Sequence, residues 1–455
     1  MIRFYSRHQL IISTMKISIA KFILLFTFLC FQYTGHAQLS KIEKKIAVSV
    51  DVHHKDAIKF LEQVVNINSG TMNFDGVFKV GQIFKAKFEA LGFTTRWSDG
   101  KAFGRAGHLV AEHKGKGKIL LLIGHLDTVF ELESPFQQFT MLNDSMASGP
   151  GVGDMKGGDV AIVQSLTALN DAGLLKDMNI IVVMTGDEEL SGRPLDLARH
   201  DLIDAAKAAD IAIGFEDGSG NPKTAVVSRR SSSDWELNVT GTAAHSSQLF
   251  TEKVGAGAIY EVARILNEFY IQLSKEPNLT FNPGLILGGN RIDYDEKMNG
   301  GAATGKGNIV AKSTVVTGDI RAISPEQLKK TQEVMKAIVA DHLPNTSAEI
   351  TFDIGYPPLA PTEGNHQLLK AFDKVSKDLG FGGVVAVNPR DAGAADISFT
   401  AAYVDMAMDG LGLGSSGGHT VNEVANLKTL SMQAKRAAIL MYRLTHEKTK
   451  ANRKG

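Results

Sequence analysis

Cysteine is almost missing from this 455-residue chain, Cys30 being the single example. A lone cysteine excludes an intramolecular disulfide framework, and removal of the N-terminal segment described below would exclude a nucleophilic thiol as well. Charge of one sign is not in excess either, since 49 Lys+Arg balance 49 Asp+Glu. That balance offers no electrostatic case for nucleic acid. Proline is scarce, at 12 residues, and no segment is low in complexity or repeated at a fixed period. No apolar run reaches the roughly 18 residues of a membrane-spanning helix. What is there is a globular composition, 44% hydrophobic and 22% charged with 45 glycines. The length exceeds one ordinary core, so two domains are expected.

The first 37 residues differ from the rest. Their charged residues besides histidine are Arg3, Arg7, Lys16 and Lys21, and the apolar run from Phe22 to Phe31 leads to Gly35-His36-Ala37 before Gln38. A basic start, an apolar centre and a small-x-small site make a bacterial-type signal peptide. Cleavage is expected after Ala37, with Met15-Lys16 as an alternative start. Leu29 before Cys30 is not the small residue that a lipid-attachment site needs. Taking those four basic residues from 49 leaves 45 Lys+Arg against 49 Asp+Glu, a net charge near −4. The expectation is a periplasmic or secreted protein with no membrane association after cleavage. An uncleaved anchor is the lesser alternative.

Residues 38–230 open with a helical pattern from about 55 to 95, where Ala57, Phe60, Leu61 and Val64 recur at helix spacing. Continuous apolar strands at 118–123, 179–184 and 209–215 then alternate with helices, one of them at 157–172 and closed by Gly173. Such strands indicate a mostly parallel, doubly wound α/β sheet covered on both faces. From Ser231 the pattern changes. A half-exposed strand at 234–240 precedes a helix at 255–273, strands at 279–287 and 308–322, a helix at 325–341 and a strand at 348–354. The order β-α-β-β-α-β is that of a split βαβ, ferredoxin-like α+β domain. After Pro361 the first style returns, with a helix at 367–379 and strands at 384–387 and 404–408. One α/β domain, 38–230 and 356–455, is therefore expected to be interrupted by an inserted domain at 231–355.

In a doubly wound sheet the functional crevice lies beyond the carboxyl ends of the strands. His125 in Gly-His-Leu-Asp-Thr follows strand 118–123, and Glu188 and Glu189 of Asp-Glu-Glu follow strand 179–184. Glu216 ends strand 209–215, and His419 of Gly-Gly-His-Thr lies in the loop after 404–408. Asp154 stands in Gly-Pro-Gly-Val-Gly-Asp-Met-Lys-Gly-Gly just before a helix, where a carboxylate can bridge two cations. Imidazole and carboxylate without thiol suit zinc, or another borderline divalent metal, in an open site. His125 and Asp127 share one side of an extended backbone, which lets Asp127 fix the imidazole tautomer. Glu188 and Glu189 alternate in direction, so one can coordinate while the other faces a water as base. Each motif by itself is commonplace in turns and solvated loops. Their joint delivery to one sheet edge carries the reading.

These blocks, in this order, resemble the zinc exopeptidase family that includes glutamate carboxypeptidase (carboxypeptidase G), aminoacylase, acetylornithine deacetylase and succinyl-diaminopimelate desuccinylase. The resemblance spans about 55 to 445 and rests on Gly-His-Leu-Asp-Thr-Val, the Gly-rich Asp154 block and Thr-Gly-Asp-Glu-Glu. It implies two zinc ions per subunit, with cobalt or manganese as substitutes. His125 and Glu216 would hold one, Glu189 and His419 the other, and Asp154 would lie between them. Glu216 is preferred to the adjacent Asp217 because it matches the carboxypeptidase and acylase members. The resemblance also implies Glu188 as general base, a cis peptide at Asp154–Met155, and a supporting structural role for Asp396.

In the inserted lid or dimerisation domain, it makes His245 of Gly-Thr-Ala-Ala-His-Ser the histidine that stabilises the developing oxyanion. In several relatives that histidine comes from the partner of a homodimer. Asn308 and Arg321 match the residues that hold a substrate's free carboxylate, for which a guanidinium fork is well shaped. The activity implied is release of a C-terminal amino acid from a peptide or N-acyl amino acid, glutamate-carboxypeptidase-like. An N-acyl amino acid amidohydrolase or a dipeptidase is the near alternative. An aminopeptidase would need an acidic group where Arg321 stands. A catalytically inactive peptide-binding relative is disfavoured because every ligand type is retained.

Overall fold

The computed structural model describes residues 39–446, and the expected signal peptide at 1–37 lies outside the described residues. Two helices, α1 (Lys41–Val65) and α2 (Phe74–Ala90), stand where the sequence predicts one helical stretch. The break holds Ser69-Gly70-Thr71, and Asn73 restarts the helix by accepting a bond from the Gly76 N–H. Gly70 passes so close to Phe130 and Glu131 that no Cβ would fit.

Strands β1 (Thr94–Asp99), β2 (Gly107–His113), β3 (Lys116–His125), β4 (Met178–Thr185) and β5 (Ile211–Gly214) come first, with helices α3 (Lys156–Asp171) and α4 (His200–Ala208) between them. The inserted segment supplies β6 (Ser233–Gly241), α5 (Gly257–Leu273), β7 (Thr280–Gly289), β8 (Ser313–Arg321), α6 (Pro325–Ala340) and β9 (Thr346–Phe352). Helix α7 (Glu363–Asp378), β10 (Met406–Met408) and α8 (Lys428–His446) complete the first domain.

The larger sheet has the order β1-β2-β4-β3-β5-β10. Its strands β4, β3, β5 and β10 run parallel, so the doubly wound reading holds for them. The antiparallel pair β1 and β2 adds an edge. Leu120, Leu121 and Leu122 of β3 are fully buried, and each such side chain contributes roughly 1.5–3 kcal/mol. Helix α4 covers one side through Leu202, Ala205 and Ala206 against Leu121, Ile123 and Val183. Helices α3 and α8 pack on each other and against β3.

The inserted sheet is antiparallel throughout, in the order β7-β8-β6-β9. It has its own core, in which Trp235, Leu237 and Val316 meet Ile265 and Phe269 of α5 and Met335 of α6. The β-α-β-β-α-β order is as expected, with an added hairpin pairing Arg291–Asp295 with Gly300–Thr304. Two chain crossings join the parts, paired as antiparallel bridges Arg229↔Leu359 and Ser232↔Tyr356. No described helix is long and apolar enough to cross a membrane.

Candidate metal centre

The parallel strands deliver their last residues to one edge. β3 ends at His125, β4 runs into Gly186-Asp187-Glu188-Glu189, and β5 into Phe215-Glu216. Asp154 closes the Gly-rich loop before α3, through a cis Asp154–Met155 peptide. His419 comes from the loop after β10 and adopts a left-handed φ of 61°. His125 Nε2 lies 3.2 Å from Asp154 Oδ1 and 3.1 Å from Glu216 Oε1. His419 Nε2 lies 3.0 Å from Asp154 Oδ2 and 3.2 Å from Glu189 Oε2. Two three-residue clusters thus share Asp154, with one carboxylate oxygen turned to each. Asp217 turns away and accepts a bond from Ser415 Oγ at 2.6 Å.

Asp127 does more than hold the imidazole. His125 Nδ1 is 3.1 Å from the Asp127 carbonyl oxygen and 3.4 Å from its Oδ1. The same carboxylate accepts the Glu188 and Glu189 N–H groups, each at 3.1 Å, and the Thr71 hydroxyl at 2.6 Å. The break between α1 and α2 therefore contributes to the site through Thr71. Glu188 is half-buried, and its desolvation pushes its carboxyl group well above the usual range, while no described donor bonds that group.

Three supporting residues were not singled out from the sequence. Glu423, 1% exposed, accepts the N–H groups of Gly151, Gly153 and Asp154 at 3.1, 2.8 and 3.1 Å. It fixes the loop that aims Asp154. Arg199, fully buried, joins Asp187 at 2.7 Å to Asp396 at 2.8 Å. Asp396 also accepts the Thr185 hydroxyl at 2.6 Å, so its contacts are structural. Tyr356 reaches the Glu188 carbonyl oxygen at 3.1 Å.

The charge balance tests the site for metal. Burial and then the charge of Asp154 push the Glu216 carboxyl up to about 8, and burial raises Glu189. Bonds to Asp154 and then Glu189 push the His419 imidazole up to about 11. Burial would raise Asp154, but bonds from His125 and His419 outweigh it and hold the carboxyl low. The Glu216 and Glu189 carboxyls and the His125 and His419 imidazoles are raised because the cluster needs positive charge, and protons supply it. Two cations in their place would leave the imidazoles neutral and the carboxylates ionised, as coordination requires. The residues fit a metal pair.

The residues expected over the site from the inserted domain are spread out. His245 is exposed and bonded within its own loop, to Ser247 Oγ at 2.9 Å. Asn308 lies beside it, in the loop before β8, and its carbonyl accepts the Ser246 N–H at 2.8 Å. The strand predicted over 308–322 starts only at Ser313. Arg321 ends β8 and pairs with Asp319 at 2.8 Å. Nine strand residues at about 3.3 Å each put β8 near 26–30 Å in length. Asn308 and Arg321 thus stand at opposite ends of β8, and one chain does not bring both to a single carboxylate.

A parallel sheet edge carrying two acid–imidazole clusters with a common aspartate and an unbonded glutamate defines a metal-dependent hydrolase. Comparison with known proteins agrees, because Peptidase family M20/M25/M40 matches residues 121–443. The chain belongs to that family and is a hydrolase of the metallopeptidase type. It is 27% identical over 370 residues to Carboxypeptidase G2 of Pseudomonas sp. (strain RS-16), covering 80% of this chain and 83% of that one. It is 24% identical over 364 residues to Succinyl-diaminopimelate desuccinylase of Alkalilimnicola ehrlichii (strain ATCC BAA-1101 / DSM 17681 / MLHE-1), covering 77% and 90%. The fold is similar to that of aminopeptidase PepT from Bacillus cereus ATCC 10987, with a TM-score of 0.65 at 16% identity over 85% of this chain and 98% of that chain.

Proposed function

We propose that the protein is a two-zinc exopeptidase that hydrolyses an amide bond and releases a C-terminal amino acid, as a glutamate carboxypeptidase does. The observation that carries this reading is Asp154, whose two oxygens lie 3.2 and 3.0 Å from the imidazoles of two separate His–carboxylate pairs. His125 and Glu216 would hold one ion and His419 and Glu189 the other, with Asp154 common to the two groups. A bound metal pair would supply Lewis acidity to the scissile carbonyl and to an attacking water. Glu188 accepts the proton of that water and returns it to the leaving amine. Arg321 receives the free carboxylate of the substrate.

The spread of the inserted-domain residues supports a homodimer. Arg321 serves its own chain, whereas His245 and Asn308 serve the partner, where His245 stabilises the oxyanion. Support comes from Ile259, Tyr260, Tyr270 and Ile271, large side chains left exposed on α5, and from Ile286 on the edge strand β7. Large apolar side chains exposed on one helix and the adjoining edge strand suit an interface between copies. The segments 38–230 and 356–455 form the catalytic domain and 231–355 the lid, and residues 1–37 direct export to the periplasm or medium.

A second reading, an N-acyl amino acid amidohydrolase, draws on the similarity to a desuccinylase. Paired N-blocked and C-blocked dipeptides decide. The proposed function expects cleavage of the N-blocked series only, with KM rising at least tenfold and kcat changing little in Arg321→Ala. Cleavage of C-blocked dipeptides at equal rate would overturn it, and activity confined to acyl-amino acids would favour the second reading.

A further inference from the structure

Tyr356 is left unused by the chemistry above, yet it touches both the inserted domain's attachment and the proposed base. It sits in the second chain crossing, and its carbonyl accepts the Ser232 N–H of the first at 3.0 Å. Gly355 approaches Ser232 so closely that a Cβ would lie 1.8 Å from the Ser232 carbonyl oxygen. From this backbone pairing the tyrosine side chain turns into the catalytic domain. Its ring meets Phe399 edge-on at 4.9 Å. Its hydroxyl lies 2.6 Å from Arg199 Nη2, 2.9 Å from Ser191 Oγ and 3.1 Å from the Glu188 carbonyl oxygen.

Counting protons gives these bonds a direction. Arg199 can only donate, and its Nη2 faces Tyr356, Ser191 Oγ at 3.0 Å and the Asp187 carbonyl at 3.1 Å. Ser191 then directs its proton to the tyrosine oxygen. The tyrosine proton has one acceptor left, the Glu188 carbonyl. The guanidinium that anchors this series is fully buried between Asp187 and Asp396. Arg193, a few residues beyond Glu188, ties the same loop to the crossing by donating to the Ile354 carbonyl at 2.8 Å and to Asp353 at 3.1 Å. The Glu188 carboxyl group receives no bond of its own, so its backbone sets its aim. That backbone is held by Asp127 at the N–H and by Tyr356 at the carbonyl.

We propose that Tyr356 is a positioning residue that links the setting of the inserted domain to the aim of the Glu188 carboxyl group. The inference rests on Glu188 being the base. A rotation at the crossings moves residues 353–356 and, through the tyrosine hydroxyl, the Glu188 peptide. The test compares Tyr356→Phe, Ser191→Ala and Glu188→Gln as zinc-loaded full-length protein on an N-blocked dipeptide. Metal content and melting temperature are measured alongside. Tyr356→Phe should lower kcat about 10–100-fold while KM stays within about threefold and metal content is unchanged. Ser191→Ala removes two bonds from the same network but spares the bond to Glu188. It should lose comparable thermal stability and keep kcat within about twofold. Wild-type turnover in Tyr356→Phe, or an equal fall in Ser191→Ala, would overturn the link. Full turnover in Glu188→Gln would instead overturn the base assignment on which the link rests, whatever Tyr356→Phe does.

Discussion

Replacing Glu423 by Gln changes one atom and asks whether the Gly-rich loop is what aims Asp154. In the native site Oε1 accepts from Gly153 and Asp154 and Oε2 from Gly151. Glutamine has a single carbonyl oxygen, which can keep the Gly153 and Asp154 bonds. Its amide nitrogen then faces the Gly151 N–H, donor against donor. One buried N–H loses its acceptor and gains none, which costs about 1–3 kcal/mol. The residue is 1% exposed, so water cannot compensate. The melting temperature should fall on the order of 1–4 °C. The sharper readout is metal affinity, since loosening a bond that orients a ligand typically costs about 10–100-fold. Competition between the protein and a fluorescent zinc chelator, with and without the substitution, measures it. Zinc affinity within twofold of wild type would refute the view that Glu423 sets the Asp154 loop.

Two further outcomes follow from the geometry. Glu188→Gln should retain both metals and lose turnover by about 10²–10⁴-fold, as removal of a general base does; steady-state kinetics with metal analysis checks both halves. If His245 acts on the partner's site, mixing inactive His245→Ala with inactive Glu188→Gln should restore activity, because each hybrid dimer contains one complete site. No recovery on mixing under subunit exchange would place His245 over its own chain's site.

The chemistry at the strand ends was readable because it is local. His125, Glu188, Glu189 and Glu216 each follow an unbroken apolar strand, and that periodicity alone sets them on one edge. The element order of the inserted domain was readable for the same reason, through the half-exposed β6 and the amphipathic α5. The antiparallel edge was not. β1, Thr-Thr-Arg-Trp-Ser-Asp, is polar and only partly buried, so it shows little of an apolar strand. The hairpin at 291–304 was obscured by Gly300 and Gly301, which lack side chains to pattern. Asn308 was placed in a strand because the apolar residues after it extend the pattern of β8 backwards. Glu423 and Tyr356 matter through partners far away in the chain, Gly153 for one and Glu188 for the other. A periodicity carries no record of such contacts. The choice between Glu216 and Asp217 needed coordinates for a similar reason, since only the fold shows Ser415 taking Asp217.

Metal counting on Asp154→Asn tests the shared-carboxylate site most directly. Elemental analysis should find two zinc ions per wild-type chain, one in His419→Ala, and neither tightly held in Asp154→Asn. One ion or none in wild type, or an Asp154→Asn protein that keeps both at native affinity, would contradict the account.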